Sequence, residues 1–566
     1  MPARPRLHPS SAGDAAADEA ERALTGAADL GLPQEPDWID SFMRLVFEQD
    51  FDSAREVLRK AIAYGVNYSL ATQYAKVLEE FLERRAEMER PPAELAGSST
   101  ARRFGACIVR EADDERGRGL MVPALASWGD ILWRERPLAY IQSPCSRKCV
   151  QVCVACCRPV GSLASQLAHM GLPAAPAGAE ELLCQARPSD DTAPSSAPSL
   201  IPCLGEGCAE VFCGEACRDW ALMPEATSSH ALLCFGRLPA ASRVALERLE
   251  RLAEESDTEH LLLLAHSVAV MVLARQRGQP LEEVLQRYVG QFVSEPWDAL
   301  AAEGRGASAE DTPESRRGLL ARATALIHEL FAFVEPALAA PLLAPELLSG
   351  LLGSYELVNM CISLLHPLNA EGNRVGELLK GTGILPLLAD FQGQAEQDSD
   401  SEAEEEGGEE EARGEGAEGA EEAGTTEEEA LEAAERGTLF SYVVGSAHCE
   451  ALAYTNHACL PNCNIDFATS EDAGDWGPGL WVHGTARRPL MPGDEVLMTY
   501  VPSVVGRPLE VRQRRMKRFG FACRCRSCLT DFMLEAEDVP PHVVRETVAG
   551  VAASLAAAAH HAAVAP

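Results

Sequence analysis

The chain is 566 residues long and 46% apolar, which by length predicts roughly four domains of about 150 residues and leaves ample material for cores. Its net charge of −37 argues against a protein that wraps nucleic acid by neutralising phosphates, and favours a basic protein surface as partner. About half of that charge is local, because residues 396–435 hold 19 acidic residues and one basic residue. Met1-Pro2-Ala3-Arg4 leads into Asp14, Asp18, Glu19 and Glu21 with no apolar run, so no signal peptide is expected. The longest apolar stretch, Leu261 to Ala274, contains His266 and falls short of the about 20 residues a bilayer span needs. The expectation is a soluble, intracellular chain without membrane contact.

In chain order, residues 1–35 are Ala/Gly/Pro-rich and polar and are predicted to be disordered. Residues 40–90 carry apolar side chains at helical spacing around a break at Tyr64 to Asn67, which predicts a helical hairpin. From 101 to 145 short strands alternate with glycine turns, notably Arg116-Gly117-Arg118-Gly119-Leu120. Residues 150–236 are cysteine-rich and are interrupted by an Ala/Pro/Ser-rich loop over 173–200. Helical patterns dominate 237–390, and the acidic tract 396–435 is predicted to be a solvated, disordered loop without apolar content for a core. Beta character returns over 438–508, a basic helix and a cysteine motif fill 509–530, and an Ala-rich tail covers 531–566. The fold class is α+β.

The chain has 19 cysteines, and reducing compartments rarely keep disulfides, so their clustering points to metal. The first constellation runs Cys153-x2-Cys156, Cys203-x4-Cys208, Cys213-x3-Cys217 and His230-x3-Cys234. Seven thiolates and one imidazole in four close pairs suit two closed tetrahedral zinc sites, since each turn can present two donors to one ion. Interleaved pairing, typical of such modules, would give Cys153, Cys156, Cys213 and Cys217 one ion and Cys203, Cys208, His230 and Cys234 the other. Cys145, Cys149 and Cys157 lie outside this octet. Closed sites leave no open coordination position, which argues against zinc-catalysed hydrolysis. The arrangement resembles the MYND zinc finger, including Phe212-Cys213-x3-Cys217 and the His-x3-Cys ending. It departs from that finger in the long interval between Cys156 and Cys203 and in the x4 spacing at Cys203–Cys208, both of which bear on the peptide groove more than on the metal.

The second constellation is Asn456-His457-Ala458-Cys459, then Gly493-Asp494-Glu495 leading to Tyr500, then Cys523-x-Cys525-x2-Cys528. Three thiolates cannot close a tetrahedral zinc site alone, and Cys459 is the candidate for the fourth. These motifs resemble, in this order, the SET domain of protein-lysine methyltransferases with its post-SET zinc site, and residues 116–120 match that domain's opening glycine motif. A SET domain split after its first strands by a MYND finger is identified as a member of the SET-and-MYND family. Absence of the C-terminal helical-repeat domain makes the chain similar to the family's short branch and to plant trithorax-related SET proteins with a MYND-like insert.

The resemblance implies a split β-rich SET domain (101–145 and 438–508) with the finger, a helical insert and a post-SET zinc site, three zinc ions in all. It also implies S-adenosyl-L-methionine as cofactor. The backbone of Arg118 and Gly119 would run along it, Asn359, Asn456 and His457 would bind its amino-acid and ribose parts, and Phe521 would stack on its adenine. Tyr500 would be the active-site tyrosine, with Met498 and Phe519 lining the lysine channel. The substrate it implies is a basic protein such as a histone tail, of H3 or H4, with non-histone targets open; proline-containing peptides would be partners of the finger. Direct sequence-specific nucleic-acid binding is not expected, the chain would act as a monomer, and its location would be nuclear with a cytoplasmic pool open. The rival from another class is a catalytically silent scaffold that recruits partners in transcriptional regulation. A zinc ubiquitin ligase is disfavoured because the finger sits inside the other motif set.

Overall fold

The computed structural model describes residues 102–113, 117–179, 183, 200–223, 228–302, 311–390, 425–470, 476–525 and 527–529. The expected helical hairpin over 40–90, the segment 1–35 and the tail 531–566 lie outside these. The chain divides into two compact units. One comprises 1–101, 125–130 and 488–491, of which the two short stretches are described and meet in a bridge between Ala126 and Leu490. All that follows concerns the other unit.

Its described strands are β1 (Arg103–Phe104), β2 (Cys107–Asp113), β3 (Gly117–Met121), β4 (Ile131–Glu135), β5 (Ala139–Gln142), β6 (Ile201–Pro202), β7 (Val211–Phe212), β8 (Met360–Leu364), β9 (Val443–His448), β10 (Asn456–His457), β11 (Cys463–Ala468), β12 (Trp481–Ala486) and β13 (Leu497–Met498). They form small sheets in the orders β1-β2-β3, β11-β12-β4, β5-β9-β8, β6-β7 and β10-β13. Two of these join distant sequence: β5 pairs antiparallel with β9, Ala139 opposite His448, and β4 pairs with β12, Arg134 opposite His483. The chain between Gln142 and Val443 is therefore a long excursion from one sheet, to which it returns once on the way as β8, paired antiparallel with β9. β12 alternates half-buried and buried positions, as a strand with one solvated face should, whereas the central strand β9 is buried at nearly every position.

The excursion carries the helical insert. Helix His260–Gln276 is apolar all round and is buried at every position from Leu261 to Ala274 except His266, so the longest apolar run of the sequence is the axis of a helical core. Helices Ala240–Glu255, Leu281–Tyr288 and Pro345–Val358 pack on it with their apolar stripes, and Pro313–Leu330 packs in turn on Ala240–Glu255. Arg316, buried among them, pairs with Asp311 and with Glu356 at 2.9 Å and donates to the Trp297 carbonyl at 2.9 Å. A buried ion pair adds little net stability, but losing one partner leaves a bare charge, so this cluster fixes how the helices register.

The acidic tract departs from expectation at its end. Residues 396–424 lie outside the described set, but Glu427–Arg436 is a helix where a disordered loop to 435 is expected. Thr426 and Glu429 cap it reciprocally, three glutamates sit in its first turn, and Gly437 closes it at φ 72°. It also has something to bury: Ala430 and Ala434 lie in a cluster with Val375, Leu379, Leu385, Leu439 and Phe440. Two alanines and Leu431 in a run of glutamates were too sparse a stripe to register as apolar, but small side chains suffice where the partner helix, Gly372–Leu379, offers glycine. A Cβ on Gly372 would stand 2.2 Å from the Ala434 carbonyl oxygen. The loop expected over 173–200 is likewise partly packed, since Leu183 joins the same cluster and its carbonyl accepts from Arg374 at 3.0 Å. Gly372→Ala is expected to lower stability by about 1–3 kcal/mol through this overlap. Gly318→Ala, where an added methyl meets nothing within 4 Å on a helix, should be neutral or stabilising by about 0.5–1 kcal/mol. Thermal unfolding of both variants checks the pair, and equal midpoints would contradict the close approach.

Candidate functional site

The cysteine spacings resolve into three groups: Cys153, Cys156, Cys213 and Cys217; Cys203, Cys208, His230 and Cys234; and Cys459, Cys523, Cys525 and Cys528. Within each, the four donor atoms lie within 4.8 Å of one another. Measured separations include 3.7 Å for Cys156–Cys213, 3.5 Å for Cys213–Cys217, 3.6 Å for Cys203–Cys234 and 3.5 Å for Cys459–Cys528. A disulfide would need about 2 Å, whereas a tetrahedron of Zn–S bonds near 2.3 Å has edges of about 3.8 Å. Three or four thiols this close cannot all ionise without a cation between them, so the donor sets suit zinc and each group could hold one ion.

Local structure explains how the chain presents these donors. The amide nitrogens of Cys156 and Cys157 both donate to the Cys153 carbonyl, and the tight turn this makes puts Cys157 in the left-handed region at φ 59°. Cys157 is thus a backbone element of the knuckle and its thiol points elsewhere. The strands β6 and β7 bring Cys203 and Cys213 to opposite sides of a small ribbon, and helices Glu215–Leu222 and His230–Leu233 deliver Cys217 and His230. The first group is also tied to the β-sheet. Cys217 Sγ lies 2.8 Å from the Ser470 hydroxyl, which accepts from the Gly479 amide at 3.0 Å, and the Leu480 amide donates to the Ala155 carbonyl. Arg136 completes the joint, its guanidinium 5.0 Å from the Trp220 ring and 4.4 Å from the Trp481 ring.

The third group adjoins the remaining candidate residues. β10 lies parallel to β13, with Asn456 opposite Leu497 and His457 opposite Met498. His457 Nδ1 accepts from the Tyr500 amide at 3.1 Å, so the ring proton sits on Nε2 and is directed at Cys459 Sγ, 3.4 Å away. Burial holds the His457 pKa down at about 4, so the imidazole is neutral and keeps this tautomer. The Tyr500 ring lies 5.2 Å from those of both His457 and Phe519 and 6.2 Å from that of Phe521. Met498 is buried below them, while Phe521 is partly open to solvent. Burial raises the Tyr500 phenol above its usual value, and among the described residues its hydroxyl has no hydrogen-bond partner.

The first strands reach the same place. The Val496 amide donates to the Leu120 carbonyl and the Val122 amide to the Asp494 carbonyl, which docks β3 beside the segment leading to Tyr500. Asn456 Nδ2 bridges the Arg118 carbonyl at 3.2 Å and Glu495 at 2.7 Å, and Gly119 is buried next to it. Arg118, Gly119, Asn456, His457, Met498, Tyr500, Phe519 and Phe521 therefore converge. Asn359 stands apart from these hydrogen bonds. It caps the helix Pro345–Val358, and its Nδ2 contacts Ser446 Oγ at 2.8 Å and His260 Nε2 at 3.1 Å. Its Oδ1 is a buried acceptor without a partner, and Arg518 lies near enough to help depress the His260 pKa to about 4, after burial itself.

Two further carboxylates help hold these segments. The Glu135 carboxylate, at the end of β4, accepts from the amides of Glu450, Ala451 and Leu452 at 2.8–3.1 Å and so anchors the turn that leads into Asn456. Burial pushes its pKa up to about 7 against these bonds. Glu495 was legible as part of Gly493-Asp494-Glu495, but its contact with Asn456 depends on the parallel pairing of β10 and β13.

Among known proteins, the chain is 25% identical over 365 residues to the histone-lysine N-methyltransferase ATXR2 of Arabidopsis thaliana, covering 59% of this chain and 63% of that protein. It thus spans less than two thirds of the length of the relative it matches. No protein-family model matches the chain. Elemental analysis of the folded protein should find three zinc ions per chain, one for each four-donor group. Cys459→Ser should remove one of them; a full complement in that variant would contradict the third group.

Proposed function

We propose that the chain is an S-adenosylmethionine-dependent protein-lysine methyltransferase, built as a SET domain split by a MYND-type zinc finger and closed by a post-SET zinc site. The observation that carries this reading is the convergence of Arg118, Gly119, Asn456, His457 and Tyr500, which the sequence scatters over nearly 400 positions, at one end of β3, β10 and β13. The similarity to a histone-lysine methyltransferase supports the same reaction class.

Bound S-adenosylmethionine supplies an electrophilic methyl on a sulfonium. The orphaned Asn359 Oδ1 suits a cationic amino group, which would satisfy it. The backbone at Arg118 and Gly119 and the segment Asn456–His457 border the place where the rest of the cofactor would lie, and the half-open face of Phe521 suits a flat base. A lysine amine with a reference pKa near 10.4 is neutral in only about one molecule in 2,500 at pH 7. Transfer therefore needs a channel that favours the neutral amine by desolvation, and Phe519, Met498 and the Tyr500 ring provide apolar walls. Burial keeps the Tyr500 phenol protonated at neutral pH, so its hydroxyl orients the amine by hydrogen bonding without adding charge.

The net negative charge of the chain favours a basic substrate such as a tail of histone H3 or H4, with non-histone proteins as further targets, and a mainly nuclear location follows from that substrate. The finger's additional role is recruitment of proline-containing peptides. Titration of the protein with S-adenosylmethionine should show binding that Asn456→Ala weakens at least about tenfold; no binding to the wild type would favour a silent scaffold. Tyr500→Phe should retain cofactor binding but lose at least about 100-fold in turnover, as misorientation of reacting groups does. Met498 has no hydroxyl to crowd the channel and can change rotamer, so products beyond monomethyl-lysine are expected, and Met498→Tyr should shift them toward monomethyl. Mass spectra showing only monomethyl product from the wild type at long incubation would refute this.

A further inference from the structure

Four thiolates around a divalent zinc carry a net charge of −2, and the third group buries it: Cys459, Cys523 and Cys528 are each less than 5% exposed. Burying uncompensated charge is costly, so a tetrathiolate in such a place calls for donors and a nearby cation. Backbone amides supply part of the need, with Cys459 N donating to Cys525 Sγ and Cys525 N to Cys523 Sγ, both at 3.4 Å. His457 Nε2 supplies a neutral donor to Cys459. The cation comes from the basic helix Leu509–Lys517. Arg512, itself 2% exposed, turns away from its charged neighbours on that helix and places Nη1 3.3 Å from Cys528 Sγ and 3.0 Å from Ser527 Oγ. The next residue, Gln513, donates to the Cys523 carbonyl at 2.7 Å, so one helical turn holds both ends of the Cys523–Cys528 loop.

We propose that Arg512 is a positioning residue of the third metal centre: its guanidinium offsets the tetrathiolate charge, holds Cys528 in the ligand set and thereby keeps the segment carrying Phe519 and Phe521 in place. The proposal rests on the reading that this group holds zinc. An outer-shell donor of this kind is worth about 10–100-fold in metal affinity.

The test is zinc release from the full-length protein to a chromophoric chelator, with metal counted by native mass spectrometry. In Arg512→Met, one of three zinc ions should leave about 10–100-fold faster than from the wild type while the other two are unaffected. Arg512→Lys, which keeps the charge, should restore most of the difference. Release from Arg512→Met at the wild-type rate, or equal release from the Met and Lys variants, would overturn the proposal. If Arg512→Met does not fold, Arg512→Gln against Arg512→Lys makes the same comparison, since only the lysine keeps the charge. A wild-type protein with two zinc ions or fewer would instead remove the underlying reading of the third group.

Discussion

The His457 imidazole is the interaction on which the candidate site depends. One nitrogen takes the amide proton of Tyr500 and the other gives a proton to Cys459, so a single buried ring joins the segment bearing the candidate catalytic tyrosine to a four-thiol group. A neutral ring can do both only as one tautomer, and burial secures the neutral state. The parallel pairing of β10 with β13 sets the register of the two segments, and Asn456, directed at Glu495 and the Arg118 carbonyl, extends the same pairing to β3. The geometry around Tyr500 is thus coupled to thiols that never approach a substrate.

A similar tie joins the first four-thiol group to the β-sheet. The small strands β6 and β7 and two short helices bury few large side chains, so the finger's core consists largely of its own cysteines with Val160, Val211, Phe212 and Ala221. A module that buries so little apolar surface is of the kind that metal binding orders, and its two four-donor groups could each hold an ion. Its attachment to the sheet through Ser470, Gly479 and the stacked Arg136 makes this cysteine-rich module a continuation of the β-domain.

The helical insert is held differently. Its central helix is apolar on every side, and the surrounding helices need only one stripe each, so here cohesion comes from area removed from water, with Arg316 setting the register. The end of the acidic tract shows how little apolar surface a helix needs when its caps are in place and its partner has no side chain in the way. Thr426 and Glu429 close one end, Gly437 the other, and Gly372 lets the backbones approach.

By itself the sequence determined the features whose geometry is local. Two donors per turn sit two to five residues apart when they share an ion, so the cysteine pairs were legible; the eight donors of the first constellation group in the interleaved way typical of such modules, and Cys459 joins Cys523, Cys525 and Cys528. The all-apolar run at Leu261 to Ala274 was legible in the same way, as a segment that must be surrounded. What only the tertiary structure decided are side-chain contacts that no motif spacing links, some between segments hundreds of residues apart: Glu135 with the turn before Asn456, Ser470 with Cys217, Arg512 with Cys528, and Asn359 beside Ser446 and His260 with an unpaired Oδ1. No spacing encodes these, because each depends on which side of a strand or helix meets which neighbour once β4 and β5 have found β12 and β9. The helix at Glu427–Arg436 belongs with them, since its stripe of two alanines has meaning only against the glycines of the helix it meets.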